Sequence, residues 1–129
     1  GRVLNVSSTA ALLPGPMQAV YYATKAFVTS FSNAIAEELR GTGVTVTALM
    51  PGATKTDFGS VSGMDKTELF ASPASARSVA QAGYDGMMKG KLDVIAGLTL
   101  PQRLMMAAVP VTPKSVLLKQ VHQMQQPKG

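Results

Sequence analysis

One strand–helix–strand succession constrains this chain more than any other feature. Val3-Leu4-Asn5-Val6 is a short apolar run, read as a strand buried on both faces. Leu12-Leu13-Pro14-Gly15-Pro16 cannot continue regular structure, because each proline fixes φ and lacks an N–H donor, so the chain turns back there. Residues 19–40 then place apolar side chains every four positions, at Phe27, Phe31, Ile35 and Leu39, with Val28 and Ala34 widening the stripe. Gly41 and Gly43 supply the stop. Val44-Thr45-Val46-Thr47-Ala48-Leu49-Met50 is β-branched and partly alternating, a strand that Pro51-Gly52 ends. Two strands joined by a helix of this length call for a right-handed parallel βαβ unit, with the apolar stripe of the helix packed on the sheet.

The remainder extends the same α/β pattern. Residues 53–75 read as a polar, irregular loop with one short helical segment at 65–70, long enough to serve as a lid or binding loop. A second helix is predicted over 73–89, with Ser72 as N-cap, Pro73 at the first helical position, and Val79, Ala82, Gly83, Met87 and Met88 on its apolar side. Residues 92–96 make a third strand. Residues 99–109 and 114–124 read as helices separated by Pro110 and Pro113, the last carrying Leu117, Leu118, Val121 and Met124 opposite Lys119 and His122. There is no repeat and no low-complexity tract. At 46% hydrophobic, the chain suits one globular domain or part of one. Because it is already in a strand by Arg2, the expectation is that a further N-terminal portion precedes it.

Composition narrows the function classes. Without Cys there is no disulfide framework and no thiolate metal site, and a single His, His122, argues against His-based catalysis or a multi-His metal centre. Residues 1–88 carry six basic and six acidic side chains, whereas residues 89–129 carry six basic and one acidic, so the net charge of +5 belongs to the last third. That basic tail is either a solvated surface or an attraction for an anionic partner. Aromatic residues are only 5% and do not interleave with the basic ones, which argues against nucleic-acid binding by base stacking. The uncharged stretch 104–113 is too short to span a bilayer. Peripheral membrane contact by the tail is a possible reading, but Pro110 and Pro113 break any long amphipathic helix there, so a cap packed on the sheet is favoured. The location expected is cytoplasmic.

Candidate chemistry lies in Tyr21-Tyr22-Ala23-Thr24-Lys25. At i and i+4 on a helix, Tyr21 and Lys25 share a face. A phenol titrates near 10 and is a poor acid–base catalyst at neutral pH unless a fixed positive charge favours the phenolate, which Lys25 can supply. Ser8, thirteen residues before Tyr21 at the end of the first strand, adds a hydroxyl able to hold a substrate oxygen. Tyr22 stands i, i+3 from Lys25 and is the competing phenol. Such a set suits carbonyl–alcohol interconversion, for which no side chain can carry the hydride, so a cofactor is required.

Three motifs in order, Asn5-Val6-Ser7-Ser8, Tyr21-Tyr22-Ala23-Thr24-Lys25-Ala26 and Pro51-Gly52-Ala53-Thr54-Lys55-Thr56, resemble those of the short-chain dehydrogenase/reductase family. The likeness covers essentially the whole chain. It implies the C-terminal half of a doubly wound, Rossmann-like parallel sheet, about three strands with flanking helices, making residues 1–129 the catalytic half of one domain. The Gly-rich phosphate loop and the Asn of the family's catalytic set would lie before Gly1. Gly63-Met64-Asp65, Ala82-Gly83-Tyr84 and the basic tail resemble the DltE-like bacterial subgroup.

The resemblance implies roles. Ser8 would polarise the substrate carbonyl, Tyr21 would be proton donor and acceptor, and Lys25 would bind the nicotinamide ribose and lower the pKa of Tyr21. Pro51 and Gly52 would floor the nicotinamide pocket, with Thr54 and Thr56 contacting the cofactor, NADP with NAD also possible. No metal is implied. The substrate would be a small, apolar carbonyl or alcohol compound, with Phe58, Met64, Leu69 and Phe70 on a lid over 57–75. The helix over 19–40 would form a homodimer or homotetramer interface, so its phenylalanines are either core or partner contact. Two other readings stand beside this one: a non-enzymatic nucleotide-sensing or scaffold protein on the same fold, and a fragment inert by itself.

Overall fold

In the computed structural model, which describes residues 1–55, 61 and 74–126, strand β2 (Thr45–Pro51) is the centre of the molecule. It pairs in parallel with β1 (Arg2–Val6) on one side, Val6 opposite Leu49, and with β5 (Asp93–Ala96) on the other, Leu49 opposite Val94. With neighbours on both edges and helices on both faces, β2 is buried from Val46 to Met50, and Ala48 is 0% exposed. The order β1-β2-β5 is the parallel sheet expected of an α/β chain.

Side chains alternate between the two faces of a strand, so neighbouring strands sort their residues in the same way. Leu4, Leu49, Val94 and Ala96 gather with Val79 and Ala82 of helix α2 (Ala76–Met88) into one apolar cluster. The opposite face, where the same alternation puts the buried Val46, Ala48 and Met50, is covered by helix α1 (Ala19–Glu38), and polar pairs tie the two together. The Asn5 side-chain amide donates to Ser32 Oγ at 2.9 Å, and Ser32 donates to the Val28 carbonyl at 2.7 Å. Ser7 and Thr29 hydroxyls lie 2.6 Å apart, and the Asn33 amide donates to Asp93 at 2.8 Å.

This inner face corrects two expectations. The stripe through Phe27 and Phe31 does not pack on the sheet: these rings stack on each other, centroids 5.9 Å apart, and are 68% and 51% exposed. Asn5 and Ser7 need hydrogen-bonding partners when covered, which Ser32 and Thr29 provide and phenyl rings would not, so α1 turns its small polar side inward. Nor is β1 buried on both faces. It has a partner on one edge only among the described residues, and Val3 and Val6 are exposed.

Segment boundaries differ elsewhere for local reasons. The predicted Ser72 cap, Pro73 and the helical segment at 65–70 fall outside the described residues. Helix α2 begins at Ala76 with Ser75 as its N-cap, the Ser75 hydroxyl accepting from the Ser78 N–H at 3.1 Å. The stretch read as irregular over 53–75 contains strand pairing at both ends: β3 (Thr54–Lys55) runs parallel to β4 (Ala74–Ser75), Thr54 opposite Ala74.

Helix α3 (Leu100–Ala108) starts with a capping box, in which the Thr99 hydroxyl accepts from the Gln102 N–H and the Gln102 side chain accepts from the Thr99 N–H. A 3-10 turn at Val109–Val111 leads to helix α4 (Lys114–Gln125). Leu117 and Val121 of α4 pack on Tyr22 and on Ala10 of the 3-10 turn Thr9–Leu12, so the tail caps α1 and that turn rather than the sheet. Leu118, expected on the inner side, is exposed. No helix among the described residues is long and apolar enough to cross a membrane.

Candidate active site

Parallel strands present their carboxyl ends to one rim of the sheet, and ligand sites of open α/β folds form there. The carboxyl ends of β1 and β2 and the first two turns of α1 meet at a cavity of about 600 Å³, within the usual range for small-molecule sites. Ser8, Tyr21, Lys25, Pro51, Gly52 and Thr54 all line it. Thr56 lies outside the described residues.

Each group is fixed by its own local structure. Ser8 caps the 3-10 turn after β1: its backbone is extended (φ −167°, ψ 156°) and its Oγ accepts from the Ala10 N–H at 3.0 Å. That bond uses a lone pair and leaves the Ser8 O–H free to donate. The adjacent Ser7 hydroxyl donates to the Lys25 carbonyl at 2.9 Å, tying the end of β1 to the turn of α1 that carries Lys25. Lys25 Nζ donates to the Val6 carbonyl at 3.4 Å and sits 5.8 Å from the centroid of the Tyr21 ring. One strand end and one helix turn therefore hold the hydroxyl, the phenol and the ammonium around a common space.

The two tyrosines are in different surroundings. Tyr21 is partly exposed toward the cavity, whereas Tyr22 is 3% exposed. The rings meet edge to face with centroids 6.0 Å apart. Gly15 presses so closely on Tyr22 that a Cβ there would lie 2.1 Å from the ring. The Tyr22 hydroxyl accepts a hydrogen bond from the Gln125 side chain of α4. Burial pushes the Tyr22 phenol above its ordinary range; the Gln125 hydrogen bond offsets part of that rise, and neighbouring Tyr21 adds to it. Tyr22 is thus a neutral core residue at physiological pH, although it contributes to the cavity wall.

Pro51 and Gly52 form the turn after β2. Gly52 is required by close approach: a Cβ would lie 2.5 Å from Leu98 Cδ2 and 3.2 Å from the Gly97 carbonyl oxygen. Its N–H donates to the Ala96 carbonyl at 2.8 Å, which locks the two loop ends together. The Thr54 hydroxyl donates to the Gly52 carbonyl at 2.9 Å, which ties its side chain to the turn.

Sequence reasoning missed part of the wall. Leu98, Pro101, Gln102, Met105 and Met106 approach from the α3 side and Met124 from α4. The Thr99-x-x-Gln102 capping box was the available signal for where α3 begins, but nothing in the spacing shows that its methionines turn toward Tyr21. Among the described residues no group of three or more His, Cys, Asp or Glu side chains is placed to hold a metal ion.

Comparison with known proteins falls on the same region. The model of the short chain dehydrogenase family matches residues 1–66, half of the chain. A 3-oxoacyl-[acyl-carrier-protein] reductase of Synechocystis is 46% identical over 58 residues, 45% of this chain and 24% of that protein. A very-long-chain 3-oxoacyl-CoA reductase of Laccaria bicolor is 52% identical over 46 residues, 36% of this chain and 14% of that protein. The structure of a short-chain dehydrogenase from Sphingobium yanoikuyae in complex with NADPH superposes with a TM-score of 0.68 at 26% identity, covering 86% of this chain and 43% of that one. The matches thus span a quarter or less of these curated relatives and under half of the solved structure. With strand order, site geometry and family model in agreement over its first half, this chain belongs to the short chain dehydrogenase family.

Proposed function

We propose that this chain is the catalytic half of an NAD(P)-dependent oxidoreductase that interconverts a carbonyl and a secondary alcohol. The observation that carries the reading is the placement of Ser8, Tyr21 and Lys25 on one cavity at the carboxyl ends of β1 and β2. The relatives support it: two are named as 3-oxoacyl reductases, and the similar solved structure is a complex with NADPH. We assign NADP as the cofactor, with NAD as the alternative.

The residues present fit a nicotinamide cofactor. The Lys25 ammonium has N–H donors beyond the one aimed at Val6, suited to ribose hydroxyls. Pro51, Gly52 and the Thr54 backbone line the same cavity and would floor the ring; Thr56, expected from the sequence to contact the cofactor, lies outside the described residues. Bound NADPH supplies the hydride. In the reductive direction Ser8 donates its O–H to the substrate carbonyl and orients it. As negative charge builds on that oxygen, Tyr21 transfers its phenolic proton there, and the Lys25 ammonium stabilises the charge left on the phenol. Oxidation runs the same transfers in reverse.

The same proposal places a nucleotide-binding half before this one in a single Rossmann-like domain. The one-sided pairing of β1 and the coverage of less than half of the solved structure support this. It follows that the 129 residues alone would be inactive. The exposed Phe27 and Phe31 support a homodimer or homotetramer built on α1. Residues 63–65 and 82–84 and the basic tail support placement in the DltE-like subgroup. A cytoplasmic location, where reduced cofactor is supplied, belongs to the same reading.

The test is consumption of NADPH by the full-length protein with carbonyl substrates. Tyr21→Phe should lower kcat on the order of 10²- to 10⁴-fold, the contribution of a positioned proton donor, while cofactor affinity measured by fluorescence titration stays within about twofold. Full activity in that variant would remove Tyr21 from the role, and cofactor binding without turnover of any carbonyl would favour a nucleotide-sensing protein.

A further inference from the structure

Three of the chain's eight methionines, Met105, Met106 and Met124, converge on the cavity that holds Ser8 and Tyr21. Two come from α3 and one from α4, elements separated from each other by Pro110 and Pro113. Neither helix reaches the cavity by chance of chain position. The Thr99–Gln102 capping box and Pro101 in the first turn set the direction of α3. On α4, Gln125 is buried with its amide on the Tyr22 hydroxyl, and Val121 packs in the same cluster, which fixes Met124 beside them.

Helix α3 buries no residue of its own. Leu100 and Leu104 face solvent, while Met105 and Met106, half-buried, turn toward the cavity together with Pro101 and Gln102. An apolar helix side that covers a cavity without packing on the core gains apolar contact only when the cavity is filled. Methionine is the side chain best able to follow occupants of differing shape, being unbranched and having a polarizable sulfur.

Resting on the reductase reading of the site, we propose that Met105, Met106 and Met124 form the specificity wall, and that it selects ketones carrying a flexible aliphatic chain. The carbonyl lies at Ser8 and Tyr21, and the alkyl chain runs under α3 against the methionines. The cavity of about 600 Å³ also takes the nicotinamide ring on Pro51 and Gly52, and its methionine side is the part left to the substrate's chain, so short substrates leave the wall unused and longer ones cover it.

The experiment uses the full-length protein, NADPH and a series of straight-chain methyl ketones from four to ten carbons. In the wild type, kcat/KM should rise about two- to fourfold per added methylene, the range for partial to full burial of a methylene group. The M105S/M106S protein should lose this dependence, to less than about 1.5-fold per methylene, and M105L/M106L should keep it. Since α3 buries no residue, the polar variants should fold, which circular dichroism checks. M106W gives a second route: it fills the cavity and should impose an upper limit on chain length. A flat wild-type series, or an unchanged slope in M105S/M106S, overturns the wall while leaving ketone reduction intact. The two readings separate in calorimetric titration of the same ketones into protein loaded with NADP⁺. Affinity that rises with chain length and is lost in M105S/M106S, with no ketone reduced, upholds the wall and sinks the reductase reading. Neither turnover nor chain-length-dependent binding overturns both.

Discussion

The first half of the molecule, from β1 to β3, and the second, from α2 to α4, solve different problems. In the first, polar side chains near the site are tied to a strand end or a helix turn: Asn5 to Ser32, Ser7 to Thr29 and the Lys25 carbonyl, Ser8 to Ala10, Thr54 to Gly52. In the second, α3 is set by its cap and lines the cavity without burying a residue, and α4 is held by one small cluster on Tyr22. On the proposed function, groups that transfer protons must be held to a fraction of an ångström, which paired polar groups next to a buried central strand would achieve. A wall that accommodates a substrate needs apolar surface and tolerance. The family model matches residues 1–66 only, the half where geometry is most strictly tied.

Three further perturbations probe that division, the largest effect first. Ser8→Ala removes the proposed donor to the substrate and, at the same time, the cap on the 3-10 turn. Turnover by the full-length protein should fall on the order of 10²- to 10³-fold, as for loss of a positioned donor to a developing oxyanion. Loss of the cap should cost only about 0.5–2 kcal/mol in denaturant unfolding. A variant that loses stability but not turnover would make Ser8 a cap alone.

Gly15→Ala drives a methyl group into the Tyr22 ring, where the Cβ would sit 2.1 Å away. Overpacking of this kind costs about 1–3 kcal/mol. Because Tyr22 is the seat of α4, its displacement should loosen the tail first. Hydrogen exchange should show protection lost over 114–125 before 45–51, and simultaneous loss would mean that the two halves unfold as one.

The smallest effect is a pH dependence at Tyr22. Its pKa in the folded state is raised above the ordinary value near 10 by burial, so it is neutral in both folded and unfolded protein at neutral pH and adds no pH dependence there. Above about pH 10 the unfolded chain releases this proton while the folded one keeps it, so stability falls as pH rises toward the folded pKa. Tyr22→Phe should shallow that alkaline decline while costing about 1–3 kcal/mol at neutral pH, because the buried Gln125 amide loses its acceptor. An unchanged alkaline slope would place the titrating group elsewhere.

How far the chain could be read without its structure depends on the residue. The strands, the helices and the set Ser8, Tyr21 and Lys25 follow from local facts: β-branched runs, four-residue periodicity, prolines that end segments, and two side chains one helical turn apart. Even the order of motifs along the chain is local information. What periodicity cannot decide is which face of a helix turns inward. For α1 the apolar stripe was the natural choice, but Asn5 and Ser7 on the facing strand required hydrogen-bonding partners, and Ser32 and Thr29 were on the other side of the helix.

The same limit applies to the two tyrosines and the tail. Tyr21 and Tyr22 stand four and three residues before Lys25, both within reach of it on a helix, so spacing favours Tyr21 without showing which ring is buried. Only packing against Gly15, Ala10, Val121 and Gln125 buries one and leaves the other at the cavity. Met105, Met106 and Met124 read as ordinary apolar positions until α3 and α4 fold back across the end of the sheet. Composition and spacing determined the α/β framework and the candidate polar groups it carries. Tertiary contacts between distant segments decided which phenol is available and what surrounds it, because burial and hydrogen-bond pairing belong to both partners of a contact and are written in neither segment alone.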